Sequence, residues 1–530
     1  MHALAEQRDQ EPESLAAEAG FGVNQQEPGA VLSFHEVPAL TIQELPSVVV
    51  QLFERAPQPL LADLQGQLGL WVRYLRRKPG RGLTVVYNAG ALNAARGVHD
   101  GAPERWVSVT VEESALAGTQ IRFTARQVKG AVLEVRPPGT LQVKDLRLSV
   151  QIFPADEGLP ALPACCNATR GTPLFSALQA AARVQLCDPA CQLVSARAEP
   201  VRYKPSSRCV IRYRILLERA VTKGILQRHL AIFGKVYSDL RHARTIKAMM
   251  QQLYSEQATE GQPTLPRPLG AVEAFGLILN EAIELPEGAG PEALRTGPRA
   301  FRPCFLRGGG GEILDLAIPR KELRITANAL ARLHTSAVRP PGAPRTGPRE
   351  ATRTRQRAAL IATHSPAQAE AALGLAQRVA ERLEALLPDA YRPTHGGFKP
   401  SQLLFHSQRV FVVDFDSFCL ADPALDVGYF LAYLRPSGLW YRRPSMRLWF
   451  DGSKARFVEA YRRALLERSV DEGTTNRILQ RARVYEAATL FKIATRRVHR
   501  LNASRPGELS AMLAEIGACL SDYARKAATS

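Results

Sequence analysis

The first part of the chain alternates short apolar segments with turns that contain Gly or Pro. Runs of β-branched and aromatic residues, which are typical of strands, occur in LWVRYL, GLTVVYNA, RWVSVTVEE and AVLEVRP. This pattern predicts a β-rich N-terminal domain over residues 31–160. Residues 1–30 contain few large apolar side chains and several Glu and Gln, so we expect a disordered tail there.

A second strand-rich unit follows, and it contains two helical segments. We predict a helix for SALQAAARVQL, strands for PVRYKPSSRCVIRYRILL and QRHLAIFGKVYS, and a further helix for RHARTIKAMMQQLY. This unit occupies residues 161–285. Residues 286–320 are rich in Gly and Pro and include four consecutive Gly, so we expect a loop or insertion.

The rest of the chain, residues 321–530, is mainly helical. Apolar residues recur at helical spacing in RITANALARLHTSAV and in AQAEAALGLAQRVAERLEALL. A short strand pair, SQLLFH and RVFVVDFD, interrupts these helices. Strands followed by helices predict an α+β fold of two lobes.

An internal repeat connects the two strand-rich units. KPGRGLTVVY begins at Lys78 and KPSSRCVIRY begins at Lys204, and each has a Tyr nine residues after its Lys. Both segments predict a β-hairpin with a Pro-containing turn. Either two hairpins share a turn by chance, or 31–160 is a degenerate copy of the second unit. That first copy has no Lys corresponding to Lys235 and would then be structural.

Composition places the chain among ordinary folded proteins. It has 530 residues, of which 45% are apolar and 22% charged, which argues against whole-chain disorder, collagen or a coiled coil. We find no apolar run long enough to span a membrane, and the polar N-terminus lacks the layout of a signal peptide, so we expect a cytoplasmic protein with no membrane partner. The eight Cys show no zinc or disulfide spacing and are expected to be free thiols.

The chain is strongly basic, with 69 Lys and Arg against 50 Asp and Glu and a net charge of +19. The positive residues are spread along the chain and are not interleaved with aromatics as in RNA-recognition segments. We therefore interpret most of them as a solvated surface and do not expect a nucleic-acid partner. Binding of a phosphate-bearing ligand or polyanion stays an open alternative.

The segment 394–434, THGGFKPSQLLFHSQRVFVVDFDSFCLADPALDVGYFLAYL, carries the clearest chemistry. An apolar strand ends at Asp414, so its carboxylate would project from a rigid element, and Asp416 follows two residues later. Gln402 lies upstream and offers an amide carbonyl oxygen. Such hard oxygen ligands suit Mg²⁺ that bridges nucleotide phosphates.

The order of these residues resembles the catalytic region of the aminoglycoside phosphotransferase and choline kinase-like family, relatives of the protein kinases. That family has a His-Gly-Asp-x-x-x-x-Asn loop, a hairpin, an Asp-rich metal motif and then Asp-Pro-x-x-Asp. Gln402 stands where the family has Asn. The matching residues in this chain are, in that order, His395 and Gly396, Gln402, Asp414 and Asp416, and Asp422 and Asp426.

This resemblance covers about residues 185–500 and implies a two-lobe protein-kinase-like fold. Residues 161–285 would form the strand-rich N-lobe and 321–530 the helical C-lobe, preceded by the extra β-rich domain. The resemblance also implies ATP or GTP with Mg²⁺ as cofactors. The implied catalytic residues are His395, Gln402 and Asp414, and the implied metal ligands are Asp414, Gln402 and Asp416.

The resemblance implies nucleotide-binding residues in the N-lobe as well. Lys235, in an apolar strand, would bind phosphate; the alternative is an edge-strand Lys that faces solvent. The family also has a Glu in the next helix that pairs with this Lys, but residues 241–253 contain no acid, and Glu256 comes after them. The turn after the first long strand would lie over the nucleotide, unless it is an ordinary basic hairpin, and its phosphate-binding residues would be Lys204, Ser206, Ser207 and Arg208.

Gly397 is the main departure from the family, which has its catalytic Asp at this position. Glycine cannot accept the substrate hydroxyl proton; Asp416 is a candidate replacement, whereas Lys399 as a cation would be a poor base. Two interpretations remain: a phosphotransferase for a small hydroxylated acceptor, or a pseudokinase that binds nucleotide as a scaffold or regulator. A third is a basic polyanion-binding protein on the same fold.

Overall fold

The chain divides into two compact units, Met1–Ala155 and Asp156–Ser530. The tail predicted at 1–30 lies outside the residues that the structure describes. All cysteines whose side chains are described are free thiols. The structure, a computed structural model, describes residues 39–56, 61, 68–78, 82–91, 105–112, 114, 116–117, 120–121, 127, 130–136, 139–222, 224–283, 294–301, 304–307, 313–406, 408–436, 444–499 and 506–528.

The first unit contains helix α1 (Ala39–Glu54) and an antiparallel six-stranded sheet of order β1-β2-β3-β8-β7-β6. Trp106 and Tyr87 are fully buried on this sheet, as expected for the aromatic positions of apolar strands. Two further short strands, β4 and β5, pair with each other. The strands are β1 (Leu68–Lys78), β2 (Gly82–Ala91), β3 (Arg105–Val111), β4 (Leu116–Ala117), β5 (Gln120–Ile121), β6 (Glu134–Arg136), β7 (Thr140–Val143) and β8 (Leu148–Ile152).

The second unit begins with the strand lobe, an antiparallel five-stranded sheet of order β12-β13-β11-β10-β9 with three helices. Every second residue of β10 from Cys209 to Leu217 is buried, which follows the period of two that a sheet imposes. The elements are α2 (Leu162–Cys166), α3 (Pro173–Leu186), β9 (Gln192–Lys204), β10 (Arg208–Val221), β11 (Gly224–Tyr237), α4 (Leu240–Thr259), β12 (Pro268–Val272) and β13 (Leu277–Glu281).

The two sheets share a strand order. In each, three consecutive strands form a meander, and the last strand of the sheet in sequence pairs with the third strand of that meander. A 3-10 turn with a left-handed residue at its end, Arg147 in one unit and Gly276 in the other, precedes that last strand. The shared order supports the predicted duplication, which stays a prediction.

The two repeat hairpins also agree in register. Lys78 pairs with Gly82 in the first, and Lys204 pairs with Arg208 in the second. Lys235 on β11 pairs with the residue six positions after Lys204. In the first unit, Thr110 on β3 pairs with the residue six positions after Lys78. The first copy therefore has a hydroxyl where the second has an ammonium.

The helical lobe packs on the strand lobe through one continuous hydrophobic core. Its helix α9 is buried on nearly all sides, which explains the unbroken apolar sequence around Phe430. The helices are α5 (Gly297–Ala300), α6 (Arg320–His334), α7 (Gly347–His364), α8 (Ala369–Glu384), α9 (Ala424–Leu434), α10 (Pro444–Leu466), α11 (Glu472–His499) and α12 (Leu509–Ala528).

Short strands complete this part of the chain, and the predicted α+β, two-lobe architecture is confirmed. Segment 286–320, predicted as a loop or insertion, differs from that expectation because its described parts contain regular elements, namely β14, α5, β15 and β16. No helix in the described part of the chain is long and apolar enough to cross a membrane. The strands are β14 (Leu294–Thr296), β15 (Cys304–Arg307), β16 (Ile313–Ala317), β17 (Arg392–Thr394), β18 (Leu403–His406), β19 (Arg409–Val412) and β20 (Cys419–Ala421).

Candidate functional site

Lys235 and the two carboxylates of the Asp-rich motif form a compact charged cluster. Lys235 Nζ lies 2.7 Å from Oδ1 of Asp414 and 2.5 Å from Oδ1 of Asp416. Tyr237, two residues after Lys235 on β11, donates its hydroxyl to Asp416 Oδ1 at 2.8 Å. Because successive residues of a strand alternate faces, Lys235 and Tyr237 project to the same side of the sheet.

The alternative that Lys235 is an edge-strand residue facing solvent is wrong. Strand β11 is the central strand of its sheet, and the Lys235 side chain is only 17% exposed. Burial lowers the pKa of Lys235 to about 8, although Asp414 acts in the opposite direction. Burial also acts to raise the pKa of Asp414, but Lys235 and Arg208 outweigh it and hold that pKa well below its ordinary value.

Asp414 occupies a special backbone position. It lies two residues after the end of β19 and has a φ of +70°, in the left-handed region that non-glycine residues seldom adopt. The β18–β19 hairpin fixes this position, since Val413 N donates to Gln402 O at 2.9 Å. The Asp414 carboxylate is thereby directed toward the sheet of the strand lobe.

The turn between β9 and β10 reaches the same carboxylates. Arg208 forms an ion pair with Asp416 and lies 3.5 Å from Asp414 Oδ1. Of the predicted phosphate-binding residues, Arg208 therefore joins the charged cluster. Lys204 and Ser207 close the turn, because Ser207 N donates to Lys204 O at 3.1 Å.

Ser206, at the tip of this turn, is held by Asp156. Ser206 N donates to Asp156 Oδ2 at 2.8 Å, and the Ser206 hydroxyl lies 3.4 Å from Asp156 Oδ1. Tyr203 OH donates to the same carboxylate at 2.7 Å. Neither Asp156 nor Tyr237 was predicted from the sequence, because neither belongs to a recognisable motif and their partners are remote in sequence.

Helix α4 provides no carboxylate to Lys235 among the described residues. Glu256, near the end of that helix, instead accepts hydrogen bonds from Ser336 Oγ at 2.8 Å and from Ala337 N at 3.0 Å. Asp414 and Asp416 hold the ammonium in place of a helix Glu.

Asp426 braces the catalytic-loop segment from beneath. It is fully buried and accepts hydrogen bonds from His395 N at 2.6 Å and Phe398 N at 3.3 Å. His334 Nε2 lies 3.5 Å from Asp426, and its Nδ1 lies 2.6 Å from the hydroxyl of Tyr461. His334 is thus a buried structural residue.

His395 is a positioning residue by its contacts. Its Nε2 lies 3.1 Å from the carbonyl oxygen of Val413, so the ring connects the loop to the residue before Asp414. Burial lowers the pKa of His395, which keeps the ring neutral near pH 7. Asp422 likewise has a structural setting, because it caps α9 at Ala424 N and pairs with Arg481 at 2.7 Å.

The residues at this site suit the binding of a divalent cation that also contacts phosphate. Gln402 Nε2 lies 3.5 Å from Asp414 Oδ2, and Gln402 Oε1 is buried without a hydrogen-bond partner among the described residues. In the same part of the chain, no group of three or more His, Cys, Asp or Glu could hold a metal by itself. Mg²⁺ suits this set, since it commonly takes one or two carboxylates and completes its shell with water and substrate phosphate.

The loop has room for a side chain at Gly397, the position at which the resemblance implies a catalytic carboxylate. A Cβ at Gly397 would meet only Tyr429 Cε1, at 4.0 Å, among the described atoms. Asp416, the candidate replacement base, is engaged by Lys235, Tyr237 and Arg208. Burial and the charges of Arg496 and Lys492 lower the pKa of Lys399 to about 7.

The sequence of residues 239–483 matches the model of the phosphotransferase enzyme family. This match confirms the resemblance seen in the motifs. No curated protein matches the chain.

Solved structures that match the chain include kinases of glucosamine and choline. A glucosamine kinase in complex with glucosamine, ADP and inorganic phosphate has 17% identity and a TM-score of 0.41, with 68% of this chain and 88% of that chain covered. A choline kinase from Streptococcus pneumoniae has 12% identity and a TM-score of 0.36, with 66% and 99% covered. A choline/ethanolamine kinase family protein from Mesorhizobium loti has 14% identity and a TM-score of 0.35, with 58% and 87% covered.

Proposed function

We propose that this protein binds ATP or GTP with Mg²⁺ and transfers the terminal phosphoryl group to a hydroxyl of a small molecule. The observation that carries this proposal is the meeting of Lys235 and Asp414. These residues are 179 positions apart and lie 2.7 Å from each other in one buried cluster. The family match over residues 239–483 supports the same class of reaction.

The charges of the cluster suit a Mg-nucleotide. Lys235 and Arg208 would bind phosphate oxygens, while Asp414, Asp416 and Gln402 would bind the metal. Buried cations and carboxylates that now neutralise each other would then each have a new partner of opposite charge, so their desolvation would stay compensated. Mg²⁺ would supply charge neutralisation of the phosphates in the transition state.

The chemical step needs a group to receive the acceptor proton. Gly397 has no side chain to receive it, so solvent water would take the proton of the acceptor hydroxyl as the oxygen attacks phosphorus and the bond to the nucleoside diphosphate breaks. Because phosphoryl transfer depends mainly on positioning and electrostatics, the absence of a carboxylate base is compatible with turnover.

A second candidate function is a pseudokinase that binds nucleotide as a scaffold or regulator. The specific observation in its favour is Gly397 together with the ion pairs of Lys235, which involve Asp414 and Asp416 and not a carboxylate of α4. Such a protein would keep the binding site and lack the carboxylate base.

Calorimetric titration of ATP and GTP, with and without Mg²⁺, tests both candidates on the full chain. We expect Mg-dependent binding by the natural protein, loss of that dependence in Asp414→Ala, and no change in Asp451→Ala, a control at an exposed position of α10. No nucleotide binding by the natural protein would contradict both functions. Binding without release of nucleoside diphosphate across a panel of hydroxylated small molecules would favour the pseudokinase.

A further inference from the structure

We propose that Lys399, Lys492 and Arg496, named here the cationic cluster, bind an anionic group of the acceptor. The acceptor would then be a small hydroxylated acid that carries a carboxylate or a phosphate. This inference rests on the proposed function and specifies its substrate class.

The cationic cluster is built on two packed helices and the catalytic loop. Lys492 Nζ on α11 donates to the hydroxyl of Tyr429 on α9 at 2.7 Å. One helical turn further along each helix, Arg496 Nη1 donates to the hydroxyl of Tyr433 at 2.9 Å. The Lys399 ammonium lies 5.4 Å from the centre of the Tyr433 ring. Two tyrosines thus hold three cations in fixed positions.

This cluster adjoins the place where the acceptor hydroxyl has to react. Tyr429 is the residue nearest to a Cβ at Gly397, at 4.0 Å, and Gly397 stands where the family has its catalytic Asp. Lys399 also interacts electrostatically with Asp414, the proposed metal ligand. A small molecule held by the cationic cluster would therefore lie beside both the loop and the metal-binding carboxylate.

The cluster has an excess of positive charge. Among the described residues, none of its three members forms an ion pair with a carboxylate. Their other charged neighbours are mostly cations as well: Arg202 acts on Lys399, and Arg345 and Arg357 act on Lys492. Arg345 has its own partner, Glu350, at 2.7 Å, so this carboxylate does not neutralise the cluster.

Like charges gathered in a partly buried site favour an anion as ligand. Burial and the neighbouring cations lower the pKa of Lys399 to about 7, and burial together with Arg496 lowers that of Lys492 to about 8. A bound carboxylate or phosphate would reverse this effect, because an opposite charge stabilises the protonated amines. An amine acceptor would meet repulsion here, since recognition of a cation requires carboxylates at this position.

The hydroxyls of Tyr429 and Tyr433 complete the set of donors. Each accepts a hydrogen bond from a cation, so its own proton is available for a ligand oxygen. Two ammonium groups, a guanidinium and two phenols provide the charge-assisted donors that carboxylates and phosphates require.

Calorimetry on the full chain tests the proposal with two anionic probes, D-glycerate and glucose 6-phosphate. The matched uncharged probes are glycerol and glucose, and choline serves as the cationic probe. We expect at least one anion to bind, and the two arms distinguish a carboxylate from a phosphate ligand. At pH 8, binding should be accompanied by proton uptake, measured in buffers of different ionisation enthalpy.

Substitutions locate the binding. Lys492→Met and Arg496→Met should each lower the affinity for the anion about 10- to 100-fold, as expected for loss of one charge-assisted hydrogen bond. Lys321→Met and Arg378→Met, at exposed positions on α6 and α8, should leave the affinity unchanged. Lys492→Arg keeps the positive charge and should retain most of the affinity for the anion. Thermal unfolding of each variant establishes that the variant is folded.

The outcomes separate this proposal from the proposed function. Absence of binding by both anions, with and without ATP and Mg²⁺, overturns the anionic acceptor, as does equal binding in the Lys492→Met and Lys321→Met variants. If Lys492→Met weakens ATP as much as the anion, the cluster serves the nucleotide and the proposal fails, while the proposed function stands. If ATP does not bind at all, the proposed function fails, and the titrations of the anions alone still report on the cluster.

Discussion

The ammonium of Lys235 lies 2.7 Å from Asp414 and 2.5 Å from Asp416, so one cation of the strand lobe holds both carboxylates of the helical lobe. Lys235→Met leaves Arg208 as the cation that pairs with both carboxylates. We expect loss of about 1–3 kcal/mol in the free energy of unfolding and at least a tenfold loss of ATP affinity. Urea denaturation and nucleotide titration measure the two effects.

The pH dependence of the stability of Lys235→Met tests whether the lost ion pairs cause its destabilisation. The pKa of Asp414 is lowered in the folded protein, so its stabilisation is present above the unfolded pKa and is lost as the pH falls below it. Without Lys235 this lowering is smaller, and the loss of stability in acid should be shallower. Lys321→Met, at an exposed position of α6, should keep the acid profile of the natural protein.

Gly397→Asp introduces a carboxylate at the position where the resemblance implies a catalytic base. The nearest described atom to a Cβ there is Tyr429 Cε1 at 4.0 Å, so the variant should fold with little loss of stability. If the missing base limits turnover, nucleoside diphosphate release with an acceptor should rise 10²- to 10⁴-fold. Gly397→Asn is the control without a base. An equal rate in the Asp and Asn variants would show that the base is not the limit.

Gly396→Ala should behave in the opposite way. Gly396 has a φ of +74°, and a Cβ there would lie 2.2 Å from the carbonyl oxygen of Ser417. We expect a loss of at least about 2 kcal/mol of stability, because both backbone strain and steric overlap act against the variant. Thermal unfolding beside Gly397→Ala compares two adjacent glycines, and similar unfolding temperatures would contradict the prediction.

Asp426→Asn should destabilise the helical lobe. The Asn amide places an N–H group against one of the two backbone donors, His395 N or Phe398 N, that the carboxylate now accepts. A loss of about 2–4 kcal/mol is expected for an unsatisfied buried donor at this site. The matched control is Asp451→Asn, where the ion pair with Arg447 is half exposed and worth about 1 kcal/mol or less. Equal denaturation midpoints for the two variants would rule out the bracing role.

Asp156→Ala tests the turn that carries Arg208. Removing the carboxylate frees Ser206 N and the Tyr203 hydroxyl, and the turn loses the contacts that fix its tip. We expect ATP affinity to fall about 3- to 10-fold while binding of D-glycerate stays unchanged. Asp188→Ala, in the connection after α3, removes a carboxylate that pairs with Arg219 at 3.2 Å and should leave ATP affinity intact.

Lys399→Met should stabilise the protein and reduce its function. The folded pKa of Lys399 is about 7, and the unfolded pKa of Lys is about 10.4. Between these values the unfolded chain binds more protons, so the stability of the natural protein rises with pH and the penalty of the buried charge is largest below pH 7. The variant should be about 1–3 kcal/mol more stable at pH 7, with a difference that narrows toward pH 10. In chemical denaturation, the difference in stability between the matched variant Lys321→Met and the natural protein should not narrow in this way as the pH rises.

The residues of the Asp-rich motif show how much of the site local sequence patterns predict. The apolar strand before Asp414 and the order of His395, Gln402 and Asp416 predicted both a hairpin and a set of oxygen ligands. The alternation in β10 and the shared hairpin turns predicted the strand pairing that the structure has. These features are local, because a strand period or a turn is written within a few neighbouring residues.

Contacts between residues far apart in the sequence could not be predicted from local patterns. The bracing of Ser206 by Asp156 joins residues 50 positions apart, and the exclusion of Glu256 from Lys235 depends on where α4 ends. The short elements within 286–320 also escaped prediction, since runs of Gly and Pro carry little periodic signal. The packing of buried apolar faces, which no local spacing encodes, decides which side chains meet.

By itself, the sequence determined the two-lobe α+β architecture, the match of residues 239–483 to the phosphotransferase enzyme family model and the absence of a carboxylate at Gly397. Only the tertiary structure decided that Lys235 pairs with Asp414 and Asp416, and that Lys399 comes together with Lys492 and Arg496. The physical reason is that charge and hydrogen-bonding groups acquire their energies from neighbours in space. Helices α9 and α11 set those neighbours by packing together at positions far apart in the chain.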